Sequence, residues 1–228
     1  VMRRAFHALR NGTPGPVVIE LISDVCNQTI AEQAQNYSSP RQTKQMPELP
    51  EIEATAEALI SANNPMIWAG AGVLFSGSSD ALKELSQLTS IPVFCTMSGK
   101  SGFDERDPLS LGSGCGTTTQ MAHQWLKDSD VILALGSSLT RSPYAQAIPK
   151  GKILIQNTNN PDDINKDESI QISLVGDTKI TIEHLIKIIK KKTGNKGFGS
   201  PEKIASKIKA IKESWLAEWH DPLNAKEK

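Results

Sequence analysis

Two glycines at the end of a short apolar run are the residues whose type and spacing best suit ligand chemistry. Gly70-Ala71-Gly72 follows the run Met66 to Ala69, and a helical pattern begins near Ser79. Backbone without Cβ atoms can turn tightly and approach a phosphate, and a helix N-terminus supplies N–H donors. The third glycine of the dinucleotide fingerprint is missing unless Gly77 supplies it. The pattern therefore predicts either a nucleotide-phosphate site or only a tight turn.

The thiols form no recognisable metal or disulfide pattern. The three cysteines lie far apart in the sequence, at Cys26, Cys95 and Cys115. Their odd number and wide spacing argue against a structural zinc site and a disulfide framework, and favour a reducing compartment such as the cytoplasm. Cys115 lies between glycines, but the sequence places no histidine or acidic partner for a nucleophile. We therefore assign no catalytic and no metal-ligating residue.

The balanced overall charge gives no reason to expect that the protein binds nucleic acid or a membrane. The chain has 228 residues with 25 basic and 25 acidic side chains, so its formal net charge is zero. A lysine-rich run from Lys187 to Lys212 falls on the outer faces of two helical patterns and is interpreted as a solvated surface. No apolar run reaches membrane-spanning length. We expect neither a nucleic-acid partner nor a membrane partner.

The middle of the chain alternates between strand and helix patterns. The run at 131–135 is apolar throughout, as strands buried on both faces are. Predicted strands also lie at 66–69, 92–95, 153–156 and 169–174, and predicted helices at 51–62, 80–88, 118–126 and 178–190. This alternation predicts an α/β fold, a doubly wound, Rossmann-like parallel sheet of about six strands with helices on both faces.

The two ends of the chain have other patterns. A helix at 2–10 and a strand at 17–21 precede a polar, proline-bearing stretch that reads as a linker at 28–50. A glycine-rich stretch near 193–199 reads as a hinge before a helix whose apolar stripe includes Ile204, Ile208 and Trp219. We favour the interpretation that this stripe packs on the same domain. The alternative is that it packs on a neighbouring domain that is missing from this chain.

Several segments, taken in order, resemble thiamine-diphosphate-dependent enzymes of the acetolactate synthase type. The stretch from Ala5 to Val17, with its Pro-Gly-Pro-Val turn, and the pair Asp24-Val25 resemble the end of that family's pyrimidine-binding domain. The segments 66–72 and 129–137 resemble the family's central domain. The resemblance covers nearly the whole chain, roughly Phe6 to Trp219.

The resemblance implies four parts in this chain. Residues 1–27 would end the pyrimidine-binding domain, 28–50 would be a linker, 51–192 the central domain, and 193–228 the lead into a C-terminal domain. Thiamine diphosphate and magnesium would be bound by flanking domains, since neither a Gly-Asp-Gly motif nor a suitably placed activating glutamate is found here. The piece should then be a fragment that is not catalytic alone, and its parent a homo-oligomer.

In this family the central domain serves as scaffold and dimer contact, and in some members it binds FAD or ADP. The resemblance and the glycine turns at strand ends together give the candidate contacts. These are Gly70, Ala71, Gly72, Ser98, Gly99, Lys100, Gly112, Ser113, Gly114, Gly136, Ser137, Ser138, Arg141, Asn157 and Asp177. Lys100 and Arg141 would neutralise phosphate charge. Asn157 would meet a ribose or base, and Asp177 is either a ribose contact or, the favoured reading, a helix N-cap.

Two departures from acetohydroxyacid synthases leave other functions open. The family's Gly-Met-His-Gly segment is replaced by Gly112 to Gly116, and the acidic pair expected after Gly136 is absent. One alternative is an autonomous NAD-dependent deacylase of the sirtuin type, which shares a Gly-Ala-Gly turn but normally needs four zinc cysteines. Another is a non-catalytic nucleotide-binding module. The substrate itself is not given by the sequence.

Overall fold

The computed structural model describes residues 1–32 and 41–224, and it divides into two compact units. The first unit runs from Val1 to Lys44 and the second begins at Gln45. The first unit holds helices α1 (Met2–Arg10) and α2 (Ser23–Cys26). α1 ends where predicted, because Asn11 caps it and Gly12 turns the chain at a φ of 70°. Parts of the predicted linker, 33–40, and the last residues, 225–228, lie outside the described residues.

The second unit contains six strands and six helices among its described residues. The strands are β1 (Met66–Ala69), β2 (Val93–Thr96), β3 (Ser110–Gly114), β4 (Val131–Leu135), β5 (Ile153–Thr158) and β6 (Ile172–Val175). The helices are α3 (Leu49–Ser61), α4 (Ala71–Phe75), α5 (Ser79–Thr89), α6 (Gln120–Asp128), α7 (Thr178–Thr193) and α8 (Pro201–Asn224). Two short 3-10 turns, Met97–Gly99 and Pro161–Asp163, follow β2 and β5.

The six strands form one sheet in the order β3-β2-β1-β4-β5-β6, and every pair is parallel. β1 and β4 are neighbours at the centre, where Ile67 aligns with Leu133. From β1 the chain moves outward to β2 and β3, and from β4 it moves outward in the other direction. The reversal of strand order therefore lies between β1 and β4, and the predicted doubly wound fold is confirmed.

Apolar side chains on the two faces of the sheet form two cores. One core joins alternate strand residues such as Ile67 and Leu133 to α3, α5 and α7. The other joins Trp68 and Phe94 to α6 and α8. Because neighbouring strand residues point to opposite faces, the central strands are apolar throughout, and all five residues of β4 are buried.

One predicted strand is wrong and one real strand was missed. Residues 17–21 form no strand, and Val18 and Leu21 are 86% and 64% exposed, because no strand among the described residues pairs with them. β3 was interpreted as a glycine turn, since Gly112 and Gly114 are poor strand formers. Pairing with β2, which skips one residue between Ser110 and Gly112, and a hydrogen bond from the Thr119 hydroxyl to the Leu111 carbonyl hold that segment in the sheet.

The end of the second unit is packed rather than free. In the segment predicted to be a hinge, the Phe198 N–H donates to the carbonyl of Leu88 at 3.1 Å. Helix α8 then lies on α6, with Ile208 only 4% exposed. Trp219, farther along the predicted stripe, is 46% exposed. The favoured prediction was that the stripe packs on this same domain. Ile204 and Ile208 do so, whereas Trp219 lies beyond that contact.

Candidate functional site

A cavity of about 740 Å³ lies at the carboxyl ends of the central strands. Gly70 follows β1, Thr96 ends β2, Gly114 ends β3 and Gly136 follows β4, and all four line the cavity. Open parallel sheets bind ligands at this edge, where the strand order reverses. The cavity is therefore the candidate functional site of the second unit.

The glycines beside the cavity allow two turns to pack against each other. A Cβ atom on Gly70 would lie 2.3 Å from the carbonyl oxygen of Gly136, and one on Gly72 would lie 2.5 Å from the Gly136 Cα. Gly136 itself has a φ of 59°, in the left-handed region that favours glycine. The glycine pattern that the sequence singled out thus has a structural reason independent of any ligand.

The amides of the same turn are already paired within the protein. The Gly70 N–H donates to the Leu135 carbonyl at 2.8 Å, and the Gly72 N–H donates to the Gly136 carbonyl at 2.9 Å. The Val73 N–H donates to the Gly70 carbonyl at 3.2 Å. Contact of Gly70 and Gly72 with a phosphate stays a prediction. A phosphate at this turn would have to bind through donors of other residues, because these amides are already paired.

Trp68 forms part of the buried floor of the cavity. It is 5% exposed and packs edge-on against Phe94, with ring centroids 4.9 Å apart. Its indole nitrogen is buried and has no hydrogen-bond partner. Sequence reasoning placed Trp68 only in a buried strand, because an apolar run does not reveal which of its members lies beside a cavity.

The segment between β4 and β5 supplies most of the cavity's exposed rim. Arg141 donates two hydrogen bonds to Glu168, at 2.7 and 2.9 Å, and its backbone N–H donates to Asp167 at 2.9 Å. The hydrogen bond to Glu168, with the charge of that carboxylate, raises the pKa of Arg141 above its ordinary value. Arg141 therefore already has a carboxylate partner, and a phosphate would have to compete with Glu168.

About half of the predicted contacts line the cavity. These are Gly70, Ala71, Ser98, Gly114, Gly136, Ser137, Ser138 and Arg141. The others are not among its lining residues: Gly72, Gly99, Lys100, Gly112, Ser113, Asn157 and Asp177. Lining residues that the sequence did not suggest include Trp68, Thr96, Met97, Thr140 and the 142–150 segment. A long polar loop carries no periodic signal from which such a wall could be predicted.

Lys100 and Ser113 lie beside a carboxylate rather than beside the cavity. The Ser113 hydroxyl donates to Glu105 at 2.6 Å, and Lys100 lies 3.4 Å from the same carboxylate. These contacts, the Ser113 hydrogen bond first, lower the pKa of Glu105 below its ordinary value. The positive charge of Lys100 is thus paired with Glu105.

Asn157 and Asp177 stabilise the strand ends from within the protein. Asn157 is fully buried, donates to the carbonyls of Leu174 and Gly176 at 2.9 and 3.0 Å, and accepts from the Gly136 N–H at 3.3 Å. The Asp177 side chain accepts from the Ile180 N–H at 3.1 Å and so caps α7. The favoured reading of Asp177 as a cap is what the structure shows.

The cysteines differ in accessibility. Cys95 on β2 is buried, and burial raises the pKa of its thiol to about 11. Cys115 is half-buried and lines the cavity, whereas Cys26 is exposed in the first unit. Within the described residues, no group of three or more His, Cys, Asp or Glu side chains could hold a metal ion.

Comparison with known proteins identifies the family to which this sheet belongs. The family model of the thiamine pyrophosphate enzyme central domain matches residues 52–185, which is more than half of the chain. The chain belongs to the thiamine pyrophosphate enzyme central-domain family. This confirms the resemblance drawn from the sequence, and the cavity is the cleft of a member of that family.

Several curated relatives are acetolactate synthases, and the three relatives described below are much longer than this chain. A probable acetolactate synthase large subunit from Methanocaldococcus jannaschii is 31% identical over 94% of this chain and 35% of its own length. The corresponding protein from Methanococcus aeolicus is 30% identical over 82% of this chain and 32% of its own length. A glyoxylate carboligase from Escherichia coli O157:H7 is 27% identical over 82% of this chain and 32% of its own length. The chain thus spans about a third of these relatives.

Solved structures share the fold. A protein from Mycobacterium smegmatis, described as a putative thiamin diphosphate-dependent enzyme, has a TM-score of 0.56 at 24% identity, over 66% of this chain and 30% of its own. A benzoylformate decarboxylase from Polynucleobacter necessarius has a TM-score of 0.58 at 20% identity, over 72% of this chain and 31% of its own. None of these matches supports the sirtuin alternative. Across the described ranges, no helix has the length and apolar composition needed to span a bilayer.

Proposed function

We propose that this chain is the central, scaffold domain of a thiamine-diphosphate-dependent, acetolactate synthase-like enzyme that acts on 2-oxo acids. We further propose that its cavity binds ADP or FAD. The observation that carries the binding proposal is the 740 Å³ cavity at the strand-order reversal, lined by Gly70, Gly114 and Gly136. Its size and position suit a nucleotide. The family match and the acetolactate synthase relatives support the scaffold proposal.

Thiamine diphosphate itself does not fit the residues described here. Its diphosphate is held through magnesium, and the described residues offer no cluster of three metal-ligating side chains. We therefore assign that cofactor, with its magnesium, to flanking domains. The proposed partners are those domains and further copies of the same enzyme, in the cytoplasm.

The binding proposal is tested by calorimetry of the 228-residue chain with ADP, FAD and NAD. We expect saturable binding of ADP or FAD with one site per chain. Bound ligand should also slow the alkylation of Cys115, which lines the cavity, and leave the alkylation of Cys26 unchanged. Heat signals that never saturate for all three nucleotides would refute a nucleotide site.

The scaffold proposal is tested by restoring flanking sequence. The chain alone should not consume pyruvate in the presence of thiamine diphosphate and magnesium, whereas a chain extended by its flanking domains should. Pyruvate turnover by the 228 residues alone would overturn the proposal. Saturable nucleotide binding, with no turnover by the extended chain, would instead favour the alternative of a non-catalytic nucleotide-binding module.

A further inference from the structure

The segment between β4 and β5 differs from the usual connection between parallel strands. Such connections usually contain a helix, whereas the described residues 136–152 contain neither a helix nor a strand. More than half of the residues that line the cavity belong to this segment. Long irregular segments of compact domains often serve as lids or binding loops. The segment is therefore a candidate cover for the cavity.

The middle of the segment, residues 140–147, is held to the rest of the second unit mainly by polar contacts, and we call this stretch the strap. Most of its side chains are exposed, and none of them belongs to the described apolar cores. On its two sides, by contrast, Leu139 is buried and Ile148 packs against a core. A stretch with so few buried apolar contacts can open at low cost.

Arg141 makes the strongest of the contacts that hold the strap. Its guanidinium donates to both carboxylate oxygens of Glu168, at 2.7 and 2.9 Å, and its backbone N–H donates to Asp167 at 2.9 Å. Paired hydrogen bonds between a guanidinium and a carboxylate are among the stronger polar contacts in proteins. The Glu168 side chain is only 11% exposed, so release of Arg141 would leave a nearly buried charge without this partner. These contacts therefore favour a closed strap.

A second contact joins the strap to the opposite wall of the cavity. The Gly116 N–H, in the turn after β3, donates to the Tyr144 carbonyl at 2.6 Å. Cys115, the neighbour of Gly116 in the chain, is half-buried and lines the cavity. Movement of the strap away from that turn should therefore make the Cys115 thiol more accessible.

We propose that Arg141 is the latch of the strap, and that breaking its contacts with Asp167 and Glu168 admits ligands to the cavity. Arg141 is then a positioning residue that controls access to the site. The inference names the regulation of the proposed nucleotide site and rests on that site for the identity of the ligand. The latch itself acts in ligand-free protein.

The test measures how fast iodoacetamide alkylates Cys115 in the ligand-free 228-residue chain, with each cysteine followed by mass spectrometry. Arg141→Gln should raise this rate by about 3- to 10-fold, because the strap loses its hydrogen bonds to Glu168. Cys26, which is exposed in the first unit, should react equally fast in both proteins. Iodoacetamide is uncharged, so loss of the arginine charge does not steer its approach.

Arg106→Gln is the matched control for the latch. Arg106 also donates two hydrogen bonds to one carboxylate, that of Asp104, at 3.0 and 2.9 Å, but neither residue lines the cavity. This variant should leave the alkylation of Cys115 unchanged, and an equal effect of the two arginine variants would refute the latch. The double variant Arg141→Gln, Glu168→Gln should react no faster than Arg141→Gln, because both changes break one contact.

The outcomes separate this inference from the proposed function. If neither ADP nor FAD binds, the nucleotide site fails, and the ligand-free alkylation rates still decide the latch. If Arg141→Gln weakens nucleotide binding and leaves alkylation unchanged, Arg141 is a ligand contact and the latch is wrong. If the latch is right and a nucleotide binds, Arg141→Gln should raise the association rate constant of that nucleotide by a factor similar to the rise in alkylation rate.

Hydrogen exchange of the wild-type chain keeps the inference testable if Arg141→Gln does not fold. The Arg141 N–H donates to Asp167, and the Gly116 N–H donates to the strap. Both amides should exchange more slowly than the Gln146 N–H, which has no hydrogen-bond partner among the described residues. An Arg141 amide that exchanges as fast as that of Gln146 would show an unlatched strap and would overturn the proposal.

Discussion

Gly136 is the residue at which the turns after β1 and β4 meet, and its substitution should be unusually costly. A Cβ there would lie 2.5 Å from the Gly72 Cα, and the residue has a φ of 59°. Gly136→Ala should therefore lower the free energy of unfolding by about 3 kcal/mol or more, from backbone strain and overpacking together.

Gly77→Ala is the matched control for that prediction. Gly77 has a similar φ of 64°, but a Cβ there would meet nothing within 4 Å. It should lose only about 1 kcal/mol, the cost of the left-handed backbone alone. Urea unfolding of both variants measures the difference, and equal losses would contradict the packing role given to Gly136.

For individual residues, the sequence predicted the position of the cavity better than it predicted what each residue does there. Strand-to-helix glycines predicted where the cavity lies, because turn geometry is local. The amides of the same glycines donate hydrogen bonds to carbonyls of the protein. The sequence could not show this, because it depends on the close approach of Gly70 to Gly136 in the folded sheet. Trp68 was missed for the same reason, since an apolar strand pattern does not show that its N–H lacks an acceptor.

The docking of α8 on α6 is the element-scale contact most open to test. Ile208 is 4% exposed in the core with α6, and Lys207 lies 4.4 Å above the Trp125 ring. Ile208→Ala should lower the free energy of unfolding by about 2 to 4 kcal/mol, because it leaves a cavity between the helices. Leu216→Ala on the same helix, where the side chain is 42% exposed, should cost less than about 1 kcal/mol. Similar losses in thermal or urea unfolding would show that α8 is not docked.

Among the elements, apolar strands and capped helices were predictable and the glycine-bearing strand was not. β4 was predicted to the residue because all five positions are apolar. β3 contains Gly112 and Gly114, so its extended form depends on pairing with β2 rather than on propensity. The stretch at 17–21 has strand propensity but no partner strand among the described residues, so it stays unpaired.

The whole molecule consists of two units that meet in sequence between Lys44 and Gln45. Arg41 and Lys44 lie in exposed, irregular backbone, whereas most lysines of the second unit are on helices. Limited trypsin treatment should therefore accumulate a product that begins at Gln42 or Gln45. Mass spectrometry identifies that product, and the double variant Arg41→Gln, Lys44→Gln should delay its appearance. An earliest cut at Arg141 would show instead that the β4–β5 segment opens first.

The first residues of the second unit lie against the end of β6, which is an outer strand of the sheet. The Asp177 N–H, just after β6, donates to the Gln45 carbonyl at 2.8 Å, and a Cβ on Gly176 would lie 2.7 Å from Pro47 Cδ. Proline has no N–H with which to extend a ladder, and it lies against the terminus of β6. A strand of another chain therefore finds no N–H of Pro47 with which to pair beside the end of β6. We expect fibril growth by strand addition to be blocked there.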